Sequence, residues 1–487
     1  MVTEKKTVQT KLGKVCGQLV DGMWEYRGIP FAQPPVGDRR FLPPLSAEPW
    51  SDIRDATKDG VRPWQKPAPW ATDANDHIYG EDCLNLNIWS PENCEKPCPV
   101  VVFIFGGGHF EGSNCEVGMT AQPFIGHEDI VMVAPNYRVG PLGYLYLGHL
   151  LGEKYAASGN LGLLDQIAAL RWVRENIASF GGDPHHVTVM GQSAGAKSIA
   201  SLIASPLAEG LFDQCILMSG GLQCIKDIGT EKVLTANYLR AAGLEEAQAA
   251  QLLTAPPEAI RDAQEKANEE FFKAESYGAT ADGLVIPKDF RADLRRRRLS
   301  HLRILMGHTK EELYLPPGQD AAVMSDQEVR HRMTWKFGEN ADHVLDVYRR
   351  RCPRLDFAKA YGLTMTEYTY VQACLQTASL FSDAGATVFL YRWDAPGAPI
   401  ASHTSDLETA FDRRSDIEPG AAARLKRMLR QFIRTGSPET PDMSGWPACT
   451  AERMPQMILG RQAVSRLIPA SEADDVFPLQ VMRLQEG

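Results

Sequence analysis

Residues 99–105 read PVVVFIF, an apolar run with neither the polar alternation of a half-exposed strand nor the length of a helix. Such a run suits a strand buried on both faces, and a sheet covered by helices on both sides offers that burial. A second run, IVMVA, occupies 130–134, and shorter ones lie at 187–190, 215–218, 304–306 and 387–391. Between them, Leu163, Ile167, Leu170, Val173 and Ile177 recur at helical spacing and predict a helix over 159–180; residues 194–204 are helical as well. Strand–helix alternation with buried strands predicts an α/β fold: a large, mostly parallel, twisted central sheet with helices on both faces. The first 95 residues differ. Their short alternating segments and many prolines, as in FAQPPVGDRRFLPPL, suit an antiparallel edge with long loops. Residues of roughly 225–300 and 318–380 are richer in Ala, Glu, Arg and Gln and read as helical cap insertions. Without repeats or linker-like composition, the expectation for 1–487 is a single domain with these insertions covering its site.

Charge and cysteine usage narrow the class of protein. The 61 acidic residues exceed the 51 basic ones, for a net charge of −10, which argues against a nucleic-acid partner. The one dense basic run, residues 295–298, reads as a solvated helix end. No signal-peptide pattern follows the charged N-terminus, and no stretch approaches the roughly 18 apolar residues that cross a bilayer. The expectation is no membrane partner and a cytoplasmic location. The ten cysteines are scattered, and only Cys94 and Cys98 are close, so no zinc site is expected. Cys215 and Cys374 sit in apolar runs and read as buried free thiols.

Gly191-Gln192-Ser193-Ala194-Gly195 forms a G-x-S-x-G element between a predicted strand and a predicted helix. A serine on so tight a turn needs small flanking residues, and the helix N-terminus behind it favours negative charge on an attacked carbonyl oxygen. Gly106-Gly107-Gly108-His109 follows the 99–105 strand. Three successive glycines carry an entropic cost that close approach to a ligand explains. The N–H groups of Gly107, Gly108 and Ala194 are candidates for an oxyanion hole.

In α/β-hydrolases the chain order is serine, acid, histidine. Of the eleven histidines, His331, His343 and His403 lie late enough. His331 and His343 sit among polar helical residues and read as surface. His403 lies in APGAPIASHTSD, a loop of small residues able to deliver an imidazole to the carboxyl edge of the sheet. The acid should follow the 304–306 strand, where Glu311 and Glu312 both qualify and spacing does not choose between them.

At this point the chain resembles the type-B carboxylesterases, a family that includes carboxylesterases, cholinesterases and bacterial para-nitrobenzyl esterases. FGGDPHHVTVMGQSAG (180–195) matches the family's serine signature, and EDCLNLNIW (81–89) resembles its second one. YRGIPFAQPPVGDRRF (26–41), NYRVGPLGYL (136–145), GNLGLLDQIAALRWV (159–173) and the closing GSPETPD…GWP (436–447) extend the match along essentially the whole chain. The resemblance implies the α/β-hydrolase fold with Ser193 as nucleophile, and Gly107, Gly108 and Ala194 as oxyanion donors. Its G-x-x-x-[DE]-E-G block falls on 307–313 and implies Glu312 as the acid, with Leu313 standing where the family has glycine. Its H-x-x-[ED]-L block falls on 403–407, supporting His403 and including Asp406. A secondary serine that supports the triad falls on Ser219. Gln192 replaces the commoner glutamate, a change bacterial members tolerate, and His109 interrupts the usual glycines and aromatic. Cys83 matches a cysteine that pairs upstream in secreted relatives. Trp64 lies near the expected partner's position, which favours a reduced, intracellular enzyme.

The implied chemistry is hydrolysis of a small-molecule carboxylic ester by water through an acyl-enzyme, with no metal or organic cofactor. Amide, carbamate or thioester hydrolysis and acyl transfer share the same triad, and a non-catalytic binding protein is the competing reading from another class. By analogy with the family, short acyl chains are the expected substrates.

Overall fold

Runs of β-branched and aromatic residues form the strands that the apolar pattern predicts. The computed structural model describes residues 4–66, 78–116, 121–126, 128–271, 277–313, 325–337, 341–351, 357–450 and 452–468. One 13-stranded sheet organises them. Its strands are β1 (Lys5–Gln9), β2 (Lys14–Val20), β3 (Met23–Pro30), β4 (Ile53–Asp55), β5 (Asn85–Pro91), β6 (Cys98–Ile104), β7 (Val131–Pro135), β8 (Gly182–Gln192), β9 (Gln214–Met218), β10 (Arg303–Thr309), β11 (Thr387–Trp393), β12 (Met454–Leu459) and β13 (Ala463–Ile468). They lie in the order β1-β2-β3-β5-β7-β6-β8-β9-β10-β11-β12-β13, with β4 beside β2. From β7 to β12 every pairing is parallel, while β1, β2, β3 and β5 pair antiparallel, as the N-terminal alternation suggested. Val100, Val101, Val102 and Ile104 of β6 are fully buried, the environment their continuous apolar run demands.

Two boundaries move. The short strand expected at 187–190 extends from Gly182 to Gln192, with a register shift against β6 between Gly182 and Val187. The 159–180 helix is α-helical only over α1 (Leu161–Asn176), with single 3₁₀ turns at each end. The terminal pair β12–β13 was not anticipated. Its Pro, Gln, Ser and Arg residues break the apolar pattern, and β13 has mostly exposed positions, as an edge strand does.

The helix α2 (Ala194–Ala204) follows β8 and packs on β8 and β9. Over the expected insertions lie α3 (Ile228–Ala241), α4 (Pro257–Phe271) and α5 (Phe290–Arg297), then α6 (Asp326–Phe337), α7 (Ala341–Arg351), α8 (Phe357–Thr366) and α9 (Ala373–Asp383). Parts of both insertions (272–276, 318–324, 338–340 and 352–356, including Cys352) lie outside the described residues. Helices α6, α7 and α8 share a small core of Val329, Met333, Val344, Leu345 and Ala360, separate from the main one. Helices α10 (Ser405–Ala410) and α11 (Pro419–Thr435) complete the flanking layers, with Phe411 packed on Phe103 of β6.

In the basic run, Arg295, Arg296 and Arg298 are exposed as expected, but Arg297 is drawn in by Asp293 (2.6 Å) and the Ile203 carbonyl. Cys215 and Cys374 are buried, and the nine described cysteines are all free thiols. Among the described residues no helix is long and apolar enough to cross a membrane, and no group of His, Cys, Asp and Glu could hold a metal ion.

Candidate active site

The chain passes from β6 to β7 on one side and then to β8 on the other, so the carboxyl end of β6 is a switch point, where open parallel sheets bind ligands. Register brings Ile104, Gly191 and Leu217 side by side. The segments leaving β6, β8, β9, β10 and β11 therefore start from one edge. They carry Gly106–Gly108, Ser193, Ser219, Glu312 and His403 in turn.

Ser193 sits between β8 and α2 with φ 56° and ψ −121°. A non-glycine residue held there is strained, and the surroundings must over-determine it. Its N–H donates to the Met218 carbonyl (2.9 Å), and its carbonyl accepts from the Lys197 N–H (2.9 Å). The flanking glycines have a steric reason. A Cβ on Gly195 would stand 2.1 Å from the Ile104 carbonyl oxygen, and one on Gly191 2.7 Å from the Gly195 carbonyl carbon. Bare backbone lets α2 seat directly on the sheet.

Gly107 and Gly108 both have positive φ (100° and 61°), as does His109 (63°), so the loop after β6 folds back as a tight turn. Its start abuts the serine: a Cβ on Gly106 would come within 3.4 Å of the Ser193 Cβ. Among the described residues, the N–H groups of Gly107, Gly108 and Ala194 donate no backbone hydrogen bond. His109 turns inward instead. Its imidazole lies 3.1 Å from the Ser198 hydroxyl and edge-on to Tyr144. Burial first, then the charges of Lys197 and Lys226, push it down to about 3, so it is neutral.

The structure distinguishes the two glutamates. Glu312 is fully buried and accepts from the His403 ring at Nδ1 over 2.5 Å, while its other oxygen accepts the Thr309 N–H (2.9 Å). Glu311 instead accepts the Ala401 N–H (2.8 Å) and splints the loop that carries His403. Burial alone would push the Glu312 carboxyl up. The charge and hydrogen bond of His403, the nearby Ser219 hydroxyl and the Thr309 N–H outweigh that and hold it below the ordinary glutamate value. Leu313, in place of the family's glycine, donates its N–H to the Thr366 hydroxyl (2.9 Å).

With Nδ1 donating to Glu312, His403 presents the lone pair of Nε2. That nitrogen accepts from the side-chain amide of Gln192, the residue before the serine, at 3.2 Å. Among the described residues no hydrogen bond joins the imidazole to the Ser193 hydroxyl itself. The Tyr370 ring packs on the His403 ring with centroids 4.6 Å apart.

Ser219, like Ser193, has a positive φ (55°); it is buried, and its N–H donates to the Gly307 carbonyl (2.8 Å). Among the described residues Asp406 makes no hydrogen bond or ion pair with His403. It accepts from the Tyr391 hydroxyl (2.7 Å) and the Leu407 N–H (2.8 Å). Burial, then the charge of Glu312, pushes Asp406 up to about 6. His331 and His343 are exposed on α6 and α7. Reading the residues in order did not disclose Gln192 and Tyr370 as neighbours of the imidazole. The first differs from its family counterpart, which was a usable signal. The second comes from a distant helical segment and carries no motif.

Comparison with known proteins identifies the family. The sequence model of the Carboxylesterase family matches residues 4–475. The para-nitrobenzyl esterase of Bacillus subtilis (strain 168) is 32% identical over 497 residues, covering 97% of this chain and 98% of that protein. The phenmedipham hydrolase of Pseudarthrobacter oxydans is 30% identical, with 94% and 96% covered. A crystal structure of the Geobacillus stearothermophilus carboxylesterase superposes with a TM-score of 0.84 at 32% identity, covering 96% of this chain and 98% of that one. The chain has the α/β-hydrolase fold, belongs to the carboxylesterase family and is a carboxylesterase.

Proposed function

We propose that the protein cleaves carboxylic esters by two-step acyl transfer, with Ser193 as nucleophile, His403 as general base and acid, and Glu312 as the orienting acid. The observation that carries this reading is the Glu312–His403 hydrogen bond at Nδ1 (2.5 Å) from a fully buried carboxylate, which leaves the Nε2 lone pair facing the turn that holds Ser193. His403 takes the Ser193 proton as the oxygen attacks and returns it to the departing alcohol. Water, activated by the same nitrogen, then releases the acyl group. The N–H groups of Gly107, Gly108 and Ala194 receive the developing oxyanion, and losing one such donor typically costs about 3 kcal/mol of transition-state stabilisation. The hydrogen bond between His403 and Gln192 yields when substrate draws serine and imidazole together, since catalytic hydrogen bonds often tighten only in the complex. Ser219 supports Glu312, and Asp406 ties Tyr391 to the helix that follows His403, rather than either binding the substrate. The chain acts as one catalytic domain whose helical insertions cap the site, a reading supported by the Tyr370 ring against His403.

A fluorophosphonate probe tests the assignment. Covalent labelling of the wild type at Ser193, absent in Ser193→Ala together with para-nitrophenyl acetate hydrolysis, is the expected result. A Ser193→Ala protein that hydrolyses the ester at the wild-type rate overturns it.

A further inference from the structure

Lys197 stands one helical turn beyond Ser193, with its N–H on the Ser193 carbonyl (2.9 Å). Side chains on a helix lean toward its N-terminus, so this spacing carries the lysine back over the turn that holds the serine. It is 8% exposed. A lysine so largely covered ordinarily has a carboxylate beside its ammonium, because a cation drawn out of water without a partner is unfavourable. The neighbouring buried lysine obeys the rule: Lys226 faces Glu231 at 3.2 Å. Lys197 does not. Among the described residues its ammonium has no ion-pair partner and no hydrogen-bond acceptor. Its Nζ stands 5.6 Å from the centroid of the Tyr370 ring, and that ring is the one packed on His403. The lysine's charge is also among those that hold the imidazole of His109, the residue after Gly108, in its neutral form. A cation without a counter-ion among the described residues therefore lies beside the aromatic ring that flanks the imidazole.

We infer that Lys197 is the counter-ion for a carboxylate carried by the substrate, so that the site accepts esters bearing one anionic group, such as monoesters of dicarboxylic acids. The ligand class follows from the count of cations. Lys226 is paired with Glu231, and the one ammonium here without a counter-ion among the described residues suits a single negative charge, whereas a phosphate dianion calls for several donors. The inference rests on Ser193 being the nucleophile, as proposed above.

The test compares kcat/KM on anionic and neutral esters of matched length. Monomethyl adipate against dimethyl adipate places the charge on the acyl side; 4-acetoxybutanoate against butyl acetate places it on the alcohol side. The wild type is expected to process one of the anionic esters at least as well as its neutral match. Lys197→Met is expected to lower kcat/KM for that ester tenfold or more, mainly through KM, with the neutral ester within twofold, while Lys197→Arg retains the preference. Equal loss on both members of a pair, or no loss on the anionic ones, overturns the assignment. So does a wild type that prefers the neutral member of both pairs by a hundredfold, a measurement that needs no variant to fold. Neutral-ester hydrolysis persisting in Ser193→Ala would instead refute the nucleophile assignment, so the two failures are separable.

Discussion

Replacing Glu312 by glutamine keeps the shape of the side chain and removes one acceptor, which sets two donors in competition. In the native site the carboxylate accepts at both oxygens, from the Thr309 N–H at 2.9 Å and from the His403 ring at 2.5 Å. A glutamine has one carbonyl oxygen to offer. If that oxygen stays on Thr309, the amide NH₂ faces Nδ1, and the imidazole must shift its proton to Nε2. The base then has no lone pair toward Ser193. The analogous acid-to-amide change in a serine protease lowers kcat about 10⁴-fold, equivalent to about 5 kcal/mol at 1.36 kcal/mol per decade. If the oxygen instead swings to Nδ1, the Thr309 N–H is left buried against an NH₂ group, which costs roughly 1–3 kcal/mol of stability. Glu312→Gln is therefore expected to lose between 10³- and 10⁴-fold in kcat, or else to lose stability by the smaller amount. Both are read from para-nitrophenyl acetate turnover and urea denaturation on the same preparation. A variant within tenfold of wild-type kcat and with an unchanged unfolding midpoint would refute the reasoning.

Other consequences are as direct. Gly195→Ala drives a Cβ against the Ile104 carbonyl oxygen, with backbone on both sides; a loss of about 1–3 kcal/mol or more, with reduced turnover, is expected by thermal denaturation and assay. Unaltered melting would contradict the contact. Asp406 is pushed from its ordinary value up to about 6, so the native state holds its proton where the unfolded chain has released it. Wild-type stability contributed by this group is complete at acid pH and declines as pH rises from about 4 through 6. The melting temperature of Asp406→Asn, relative to wild type, should accordingly improve over that interval, and a flat difference would count against the buried charge. Asp165 accepts three hydrogen bonds from Arg138 (3.0, 2.8 and 2.7 Å) and is fully buried; Asp165→Asn should cost about 3–5 kcal/mol in urea unfolding. A panel of para-nitrophenyl esters of rising chain length should favour short acyl groups, and a preference for twelve carbons or more would reject that expectation.

Much of this protein is set by local chemistry. The apolar run at 99–105 can satisfy its side chains only inside a covered sheet, and β6 is buried as that demands. The glycines at 106, 107, 191 and 195 mark places where backbone must pass close to backbone, Gly108 packs against the Phe110 ring, and each lies where a Cβ would collide. Those features act over a few residues, so they survive in the order of the letters. What separated Glu311 from Glu312 was not local. The two are adjacent and chemically alike, and only the distant 395–404 loop, folding back to place His403 on one and Ala401 on the other, assigns them different partners. Gln192 and Tyr370 meet the imidazole, and Lys197 reaches Tyr370, for the same reason: the strand order and a helix remote in sequence bring them together. Steric and burial demands within one segment are legible in the sequence, but the pairing of charges and rings across segments depends on distances that only the folded chain defines.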